Sequence, residues 1–132
     1  MKYMLDTNTC IFLMKNNPSV VSKYKKNKKS GIVISSITAS ELYFGVYNSL
    51  DVVKNKENLV KFLMGLEILE FDIAAAMEYG IQRAKLKQNG TPIGSLDMLI
   101  AAHAKAKKLV IVTNNTREFK RIDGLAIEDW LS

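Results

Sequence analysis

The chain has 132 residues, 48% of them apolar, one cysteine and a net charge of +6 at pH 7. That length suits one domain, residues 1–132, with one core. The lone Cys10 excludes an intramolecular disulfide and fits a reducing compartment. No apolar run approaches the roughly 18 residues that span a bilayer, so no membrane role is expected. Asp6 interrupts the first apolar stretch, which argues against a signal peptide, and a cytoplasmic location is expected. A small basic surface attracts anions, nucleic acid first among them.

Residues 2–5 read as a strand that runs into Asp6-Thr7-Asn8. Asn8 is placed to cap a short helix over about 9–15, ending before Asn16-Asn17-Pro18. Residues 19–29 pattern as a helix closing in KYKKNKK, and GIVISS at 31–36 as a short buried strand. A helix opens with TASELYFGVYNS, and 51–65 form another. EILEF at 67–71 is a strand candidate. Asp72 caps a long helix with Ala74, Met77, Ile81 and Ala84 on one face, closed by Gly90. A second long helix runs from about Ser95 to Lys107, LVIVT at 109–113 is the clearest strand, and a short helix near 116–120 and a strand near 125–128 complete the chain. Alternating strands and helices predict an α/β fold with a parallel sheet covered on both faces. Ligands of such folds bind at the carboxyl edge of the sheet.

Each acid near that edge has an ordinary structural explanation. Asp6 fits turn and cap chemistry. Thr38-Ala-Ser-Glu41 fits a capping box, in which Glu41 reaches back to the cap amide. Asp97 in a first helical turn is favoured by the helix dipole, and Asn115-x-x-Glu118 is again cap-like. Their joint placement says more. Asp6, Glu41, Asp97 and Asn115/Glu118 all fall at strand ends or first helical turns, and a parallel sheet gathers such positions at one edge. Clustered carboxylates raise one another's pKa and are costly without a cation. Oxygen ligands with no thiolate or imidazole beside them point to Mg²⁺ or Mn²⁺.

YMLDTN at the start, ITASELYFGV in the middle and PIGSLDMLIAAHA with VTNNTREFKRIDGLAIEDW at the end resemble the PIN-domain ribonucleases, specifically the VapC-type toxins of toxin–antitoxin pairs. The resemblance covers nearly the whole chain in the expected order. It implies a three-layer α/β/α sandwich with a central parallel sheet and an Mg²⁺- or Mn²⁺-dependent endoribonuclease site. The family's acids fall on Asp6, Glu41 and Asp97, with Asp6 and Asp97 as principal metal ligands. Glu41 is then a direct or water-mediated ligand, or helps deprotonate the water. The fourth family position, often Asp, falls on Asn115; either Glu118 supplies the missing charge or three acids suffice. IGSLD departs from the usual Pro-Asn or Asn-Asn before the third acid. Thr7, Asn8 and Thr113 are candidates to hold water or phosphate. The resemblance further implies a VapB-like antitoxin whose C-terminal segment fills the acidic pocket and groove, and a homodimer built on 40–50 and 52–66. It implies inhibition of translation by RNA cleavage, with tRNA, notably initiator tRNA, as the favoured target.

The lysines of KYKKNKK offer sequence-independent phosphate contacts or simply a solvated helix end, while Arg117 and Lys120 lie nearer the proposed site. His103, six residues after Asp97, points away from it on a helix, and Cys10 and Trp130 read as packing residues. Other functions fit less well. A DxDx[TV] phosphatase needs Asp where Asn8 stands, a receiver domain needs an acid pair that is absent, and no GxGxxG or P-loop occurs. The alternative from another class is a catalytically silent PIN-like module that binds RNA or a partner.

Overall fold

The computed structural model describes residues 2–131. Five short strands, β1 (Tyr3–Leu5), β2 (Ile32–Ser35), β3 (Glu67–Leu69), β4 (Val110–Val112) and β5 (Ile127–Glu128), form one sheet in the order β3-β2-β1-β4-β5. Every pairing is parallel. The helices are α1 (Thr7–Met14), α2 (Pro18–Asn27), α3 (Ser36–Tyr47), α4 (Val52–Met64), α5 (Ile73–Gln88), α6 (Ser95–Ala106) and α7 (Thr116–Phe119), with a 3₁₀ turn over Lys28–Ser30. The expected parallel α/β sandwich is therefore present.

Side chains alternate across the sheet with the two-residue period of a strand, and so feed two cores. Tyr3, Leu5, Ile32, Ile34 and Val112 join Leu42, Val46, Leu59 and Trp130 on one face. Met4, Val33 and Ile111 join Leu86, Met98, Ile100 and Phe119 on the other. Burying each such side chain is worth about 1.5–3 kcal/mol, which is why strands this short hold their register. Trp130 is 2% exposed and meets Tyr3 edge-on at 5.3 Å, tying the end of the chain to the central strand.

Two local expectations give way, and a third element shows which way its stripe faces. Asp6, rather than Asn8, caps α1, its Oδ1 accepting the Thr9 N–H at 2.8 Å. Ser35, rather than Thr38, caps α3, so Thr38 lies buried inside the helix and Glu41 is released from capping duty. On α5 the stripe with Met77 and Ile81 faces outward, at 65% and 47% exposed, while Ala75, Gln82 and Leu86 face the core. The four residues share one face as expected; alanine and methionine suit either side of a helix, so apolar spacing alone does not say which side is buried there. The Asp72 cap and the positive φ of 69° at Gly90 fall as expected.

Candidate metal and nuclease site

β1 is the centre of the sheet, and the chain leaves it toward β2 on one side and returns as β4 on the other. The carboxyl ends of β1 and β4 thus flank a switch point, where a parallel sheet opens a crevice. Asp6 follows β1 and Thr113 follows β4. Asp6 is 3% exposed, and its backbone N–H donates to the Val112 carbonyl at 3.0 Å, locking the two strand ends together. The Thr9 hydroxyl donates to the same carbonyl at 3.0 Å.

Around this pair the other acids assemble. Glu41, in the second turn of α3, accepts the Thr7 hydroxyl proton at Oε1 over 2.7 Å, which joins α1 to α3. Asp97 sits in the first turn of α6, where Gly94 leaves the cap position without a side-chain hydrogen bond. The Asn115 amide donates from Nδ2 to Asp97 Oδ2 at 3.1 Å and also to Glu118 Oε2. The Asn115 backbone N–H in turn donates to the Thr113 hydroxyl at 3.0 Å.

The electrostatics show how close the acids stand. Burial holds the Asp97 carboxyl above the usual carboxylate range; the Asn115 hydrogen bond opposes the rise, and the charges of Asp6, Glu118 and Glu41 add to it. Burial likewise raises Asp6, against hydrogen bonds from Thr113 and Thr9, with the Asp129 charge adding a little. Asp97 therefore feels three other carboxylates, and no cationic side chain is among the causes that act on it or on Asp6.

Such a donor set fits a hard divalent cation: it is all oxygen and negatively charged beyond what its hydrogen bonds compensate. Among the described residues, no three His, Cys, Asp or Glu side chains already form a closed ligand set. A cation would have to draw the carboxylates inward, with Asp6 and Asp97 the best anchored.

The remaining candidates divide. Thr7 and Thr113 touch the acids. Asn8 is exposed and makes no side-chain hydrogen bond among the described residues. Arg117 is exposed on α7, one residue from Glu118. The lysine run ends in the 3₁₀ turn that leads into Gly31, whose carbonyl accepts from the N–H groups of Lys2 and Tyr3 at the amino end of β1. That is the sheet edge opposite the acids. His103 is fully buried, its Nδ1 2.8 Å from the Ser35 hydroxyl, and Cys10 lies in the core. Thr9 is the contributor the sequence reading passed over; the second threonine of DTNT, three residues after a strand-end acid, was the signal.

Outward from Glu41 an apolar groove of about 720 Å³ runs between α1, α3 and α4, lined by Ile11, Leu13, Leu42, Val46, Leu59 and Phe62 among others. Beyond it Phe44, Tyr47, Leu50 and Val53 are exposed, from 59% to 109%. No helix among the described residues is long and apolar enough to cross a membrane.

Residues 3–125 match the family model described as PIN domain. The chain is 47% identical over 130 residues to the tRNA(fMet)-specific endonuclease VapC of Salmonella typhimurium, covering 98% of each chain. Two solved structures superpose closely. DNA-bound VapBC from Salmonella typhimurium gives a TM-score of 0.93 at 47% identity, covering 98% of each chain. VapBC2 from Rickettsia felis bound to a promoter DNA fragment gives 0.94 at 42% identity, covering 98% of this chain and 99% of that one.

Proposed function

The chain belongs to the PIN-domain family, among its VapC ribonucleases, and from that membership we propose that it is the toxin of a toxin–antitoxin pair, cleaving RNA with a divalent metal held by Asp6, Glu41 and Asp97. The carrying observation is that Asp97, bridged to Glu118 by the Asn115 amide, lies within electrostatic reach of Asp6, Glu41 and Glu118 at the β1/β4 crevice. The whole chain acts as one nuclease domain.

Asp6 and Asp97 are the principal ligands of Mg²⁺ or Mn²⁺, with Glu41 completing the set directly or through water. When bound, the metal supplies an acidified water and neutralises charge on the phosphate. The protein's own groups do the positioning. The Thr7 hydroxyl fixes one Glu41 oxygen and leaves the other to take a proton from the attacking water. Thr9 and Thr113 hold Asp6 against the sheet. Asn115 holds Asp97 and Glu118 in one place, so Glu118 brings the fourth charge to the site although Asn115 takes the fourth position.

The favoured substrate is tRNA, initiator tRNA in particular, as the name of the Salmonella relative suggests, and the consequence is inhibited translation in the cytoplasm. The partner is a VapB-like antitoxin, in keeping with the VapBC complexes that superpose. Its C-terminal segment lies in the groove from Ile11 to Phe62 and reaches the acids past Glu41. A homodimer uses the exposed apolar residues of α3 and α4, Phe44, Tyr47, Leu50 and Val53. The test is incubation of initiator tRNA, elongator tRNA and an unrelated structured RNA with Mg²⁺ or EDTA, using wild type and Asp97→Asn. Metal-dependent cleavage lost in the variant is expected. RNA binding without cleavage in Mg²⁺ or Mn²⁺ would overturn the enzyme reading in favour of a silent binding module.

A further inference from the structure

We infer that the cavity between α5 and the loop leading into α6 receives one nucleotide of the RNA strand beside the scissile bond, its phosphate on Arg83 and Lys87 and its base against Tyr79. The inference rests on the nuclease reading above and adds a subsite to it.

Position comes from the packing of the two helices. Asp72 at the head of α5 pairs with Lys107, just past the end of α6. Glu78, further along α5, pairs with Lys105 at 3.9 Å. The helices therefore run antiparallel, and the later turns of α5 lie beside the first turn of α6. There Tyr79, Arg83 and Lys87, spaced four apart on one face, enclose with Pro92, Ile93 and Ser95 a cavity of about 280 Å³. Gly94, between Ile93 and Ser95 of the cavity wall, borders the Asp97 carboxylate: a Cβ there would stand 4.0 Å from Oδ2. Leu86 and Met98, 4% and 3% exposed, form an apolar floor. The wall is pinned from outside, since Arg121 donates from Nη1 to the Pro92 carbonyl at 2.6 Å.

Chemistry comes from what these residues are not used for. At the far end of the helix pair, Lys105 and Lys107 are neutralised by acids. Arg83 and Lys87 have no acidic partner among the described residues. Arg83 instead lies against the Tyr79 ring, its guanidinium carbon 5.8 Å from the ring centroid, and donates to the Tyr79 hydroxyl at 2.9 Å. An aromatic ring with a cation beside it offers a base a face to stack on and its phosphate a charge to meet. The cavity is at the small end for ligand pockets and suits a single nucleobase rather than a folded peptide segment. An acidic centre repels a polyanion, so a strand that crosses it needs cations on its flanks. Arg83 and Lys87 supply them on the α5 side.

The test compares Arg83→Gln/Lys87→Gln with Lys25→Gln/Lys26→Gln, which removes two exposed charges from α2 instead. Binding of a fluorescent single-stranded RNA oligonucleotide is measured against salt in an Asp97→Asn background, and cleavage kinetics in the active protein. The site pair is expected to flatten the slope of log K on log salt by about one unit and to raise KM about tenfold with kcat kept. The α2 pair should change neither beyond about twofold. Arg83→Lys, which keeps the charge, should keep the salt slope, and Tyr79→Leu should weaken binding about fivefold or more. Melting curves matching wild type exclude misfolding; if the double variant unfolds, Lys87→Gln alone carries the comparison. Equal weakening by the two pairs, or an unchanged KM in the site pair, overturns the subsite and leaves the nuclease standing. A wild-type protein that cuts no RNA in Mg²⁺ or Mn²⁺ overturns the nuclease reading itself.

Discussion

Asn115→Asp is the most revealing single change at this site. The amide donates to Asp97 at 3.1 Å and to Glu118, and among the described residues it is the one neutral side chain that bridges the two acids. Aspartate has the same shape but no N–H. Two hydrogen bonds to charged acceptors are lost, each worth about 1.5–3 kcal/mol, and partial exposure puts both at the low end, about 3 kcal/mol together. A further carboxylate also arrives beside Asp97. Unit charges 4 Å apart repel by about 4 kcal/mol at an effective dielectric of 20, which solvent and proton uptake reduce. The variant should therefore lose at least about 3 kcal/mol without metal, a fall of roughly 10 °C in melting temperature for a chain of this size.

A cation reverses the sign of the added charge. Thermal melts in EDTA and in Mg²⁺ or Mn²⁺ should show a wider gap for Asn115→Asp than for wild type, because added metal stabilises the folded state by mass action. Asn115→Ala removes the donors without adding charge, so it should fall part-way in EDTA and gain nothing extra from metal. If Asn115→Asp melts within about 2 °C of wild type in EDTA, the acids are not held by the Asn115 amide and the electrostatic reasoning fails.

Three further outcomes follow from the same geometry. Asp6→Asn keeps the cap on Thr9 but removes a buried charge whose pKa burial has raised. The folded state binds that proton more tightly than the unfolded chain, so the ionised form costs stability at neutral pH and the cost fades as pH falls toward 3.8. Asp6→Asn should melt higher than wild type in EDTA at pH 7 while losing cleavage; a lower melting temperature would contradict it. Thr7→Val leaves Glu41 without its donor and should reduce kcat/KM about 10–100-fold while leaving the melting temperature nearly unchanged, a loss under twofold showing that Glu41 needs no orienting. His103 is the only histidine, so its ring can be followed by proton NMR without assignment. Burial lowers its pKa below 6.5, with the nearby Asp72 charge opposing and Lys107 reinforcing. The unfolded chain then binds the proton first as pH falls below 6.5, so this residue's contribution to stability declines on acidification. A ring titrating at or above 6.5 would refute the assignment of a neutral buried imidazole.

The architecture was legible because β2 and β4 carry β-branched runs that favour strands, and because Gly90 and Asp72 mark helix ends with distinct chemistry. What was not legible was the choice between equivalent local partners. Ser35 and Thr38 are both good caps, and only the end of β2 at Ser35 decides which one serves. Met77 and Ile81 form a periodic stripe as convincing as a core face, and only the packing of α5 on α6 turns it outward. The acids themselves were readable at strand ends. The hydroxyls and amides that orient them were readable only in part, since Thr7 and Glu41 stand 34 residues apart and nothing local joins them.

The same residues that start the helices also assemble the acidic centre, and this has an energetic consequence. Asp6 caps α1 with one oxygen, so its position is fixed by the helix rather than by any metal. Asp97 occupies a first helical turn, where the dipole favours negative charge. Each acid is thus held by a local interaction that survives without a cation, although burial and like charge push both toward their protonated forms. A site built this way stays folded when empty and gains charge compensation only on binding. Were the acids held by the cation alone, chelation would unfold the crevice. With helix starts and threonine hydroxyls holding them, chelation should abolish activity and leave the fold intact.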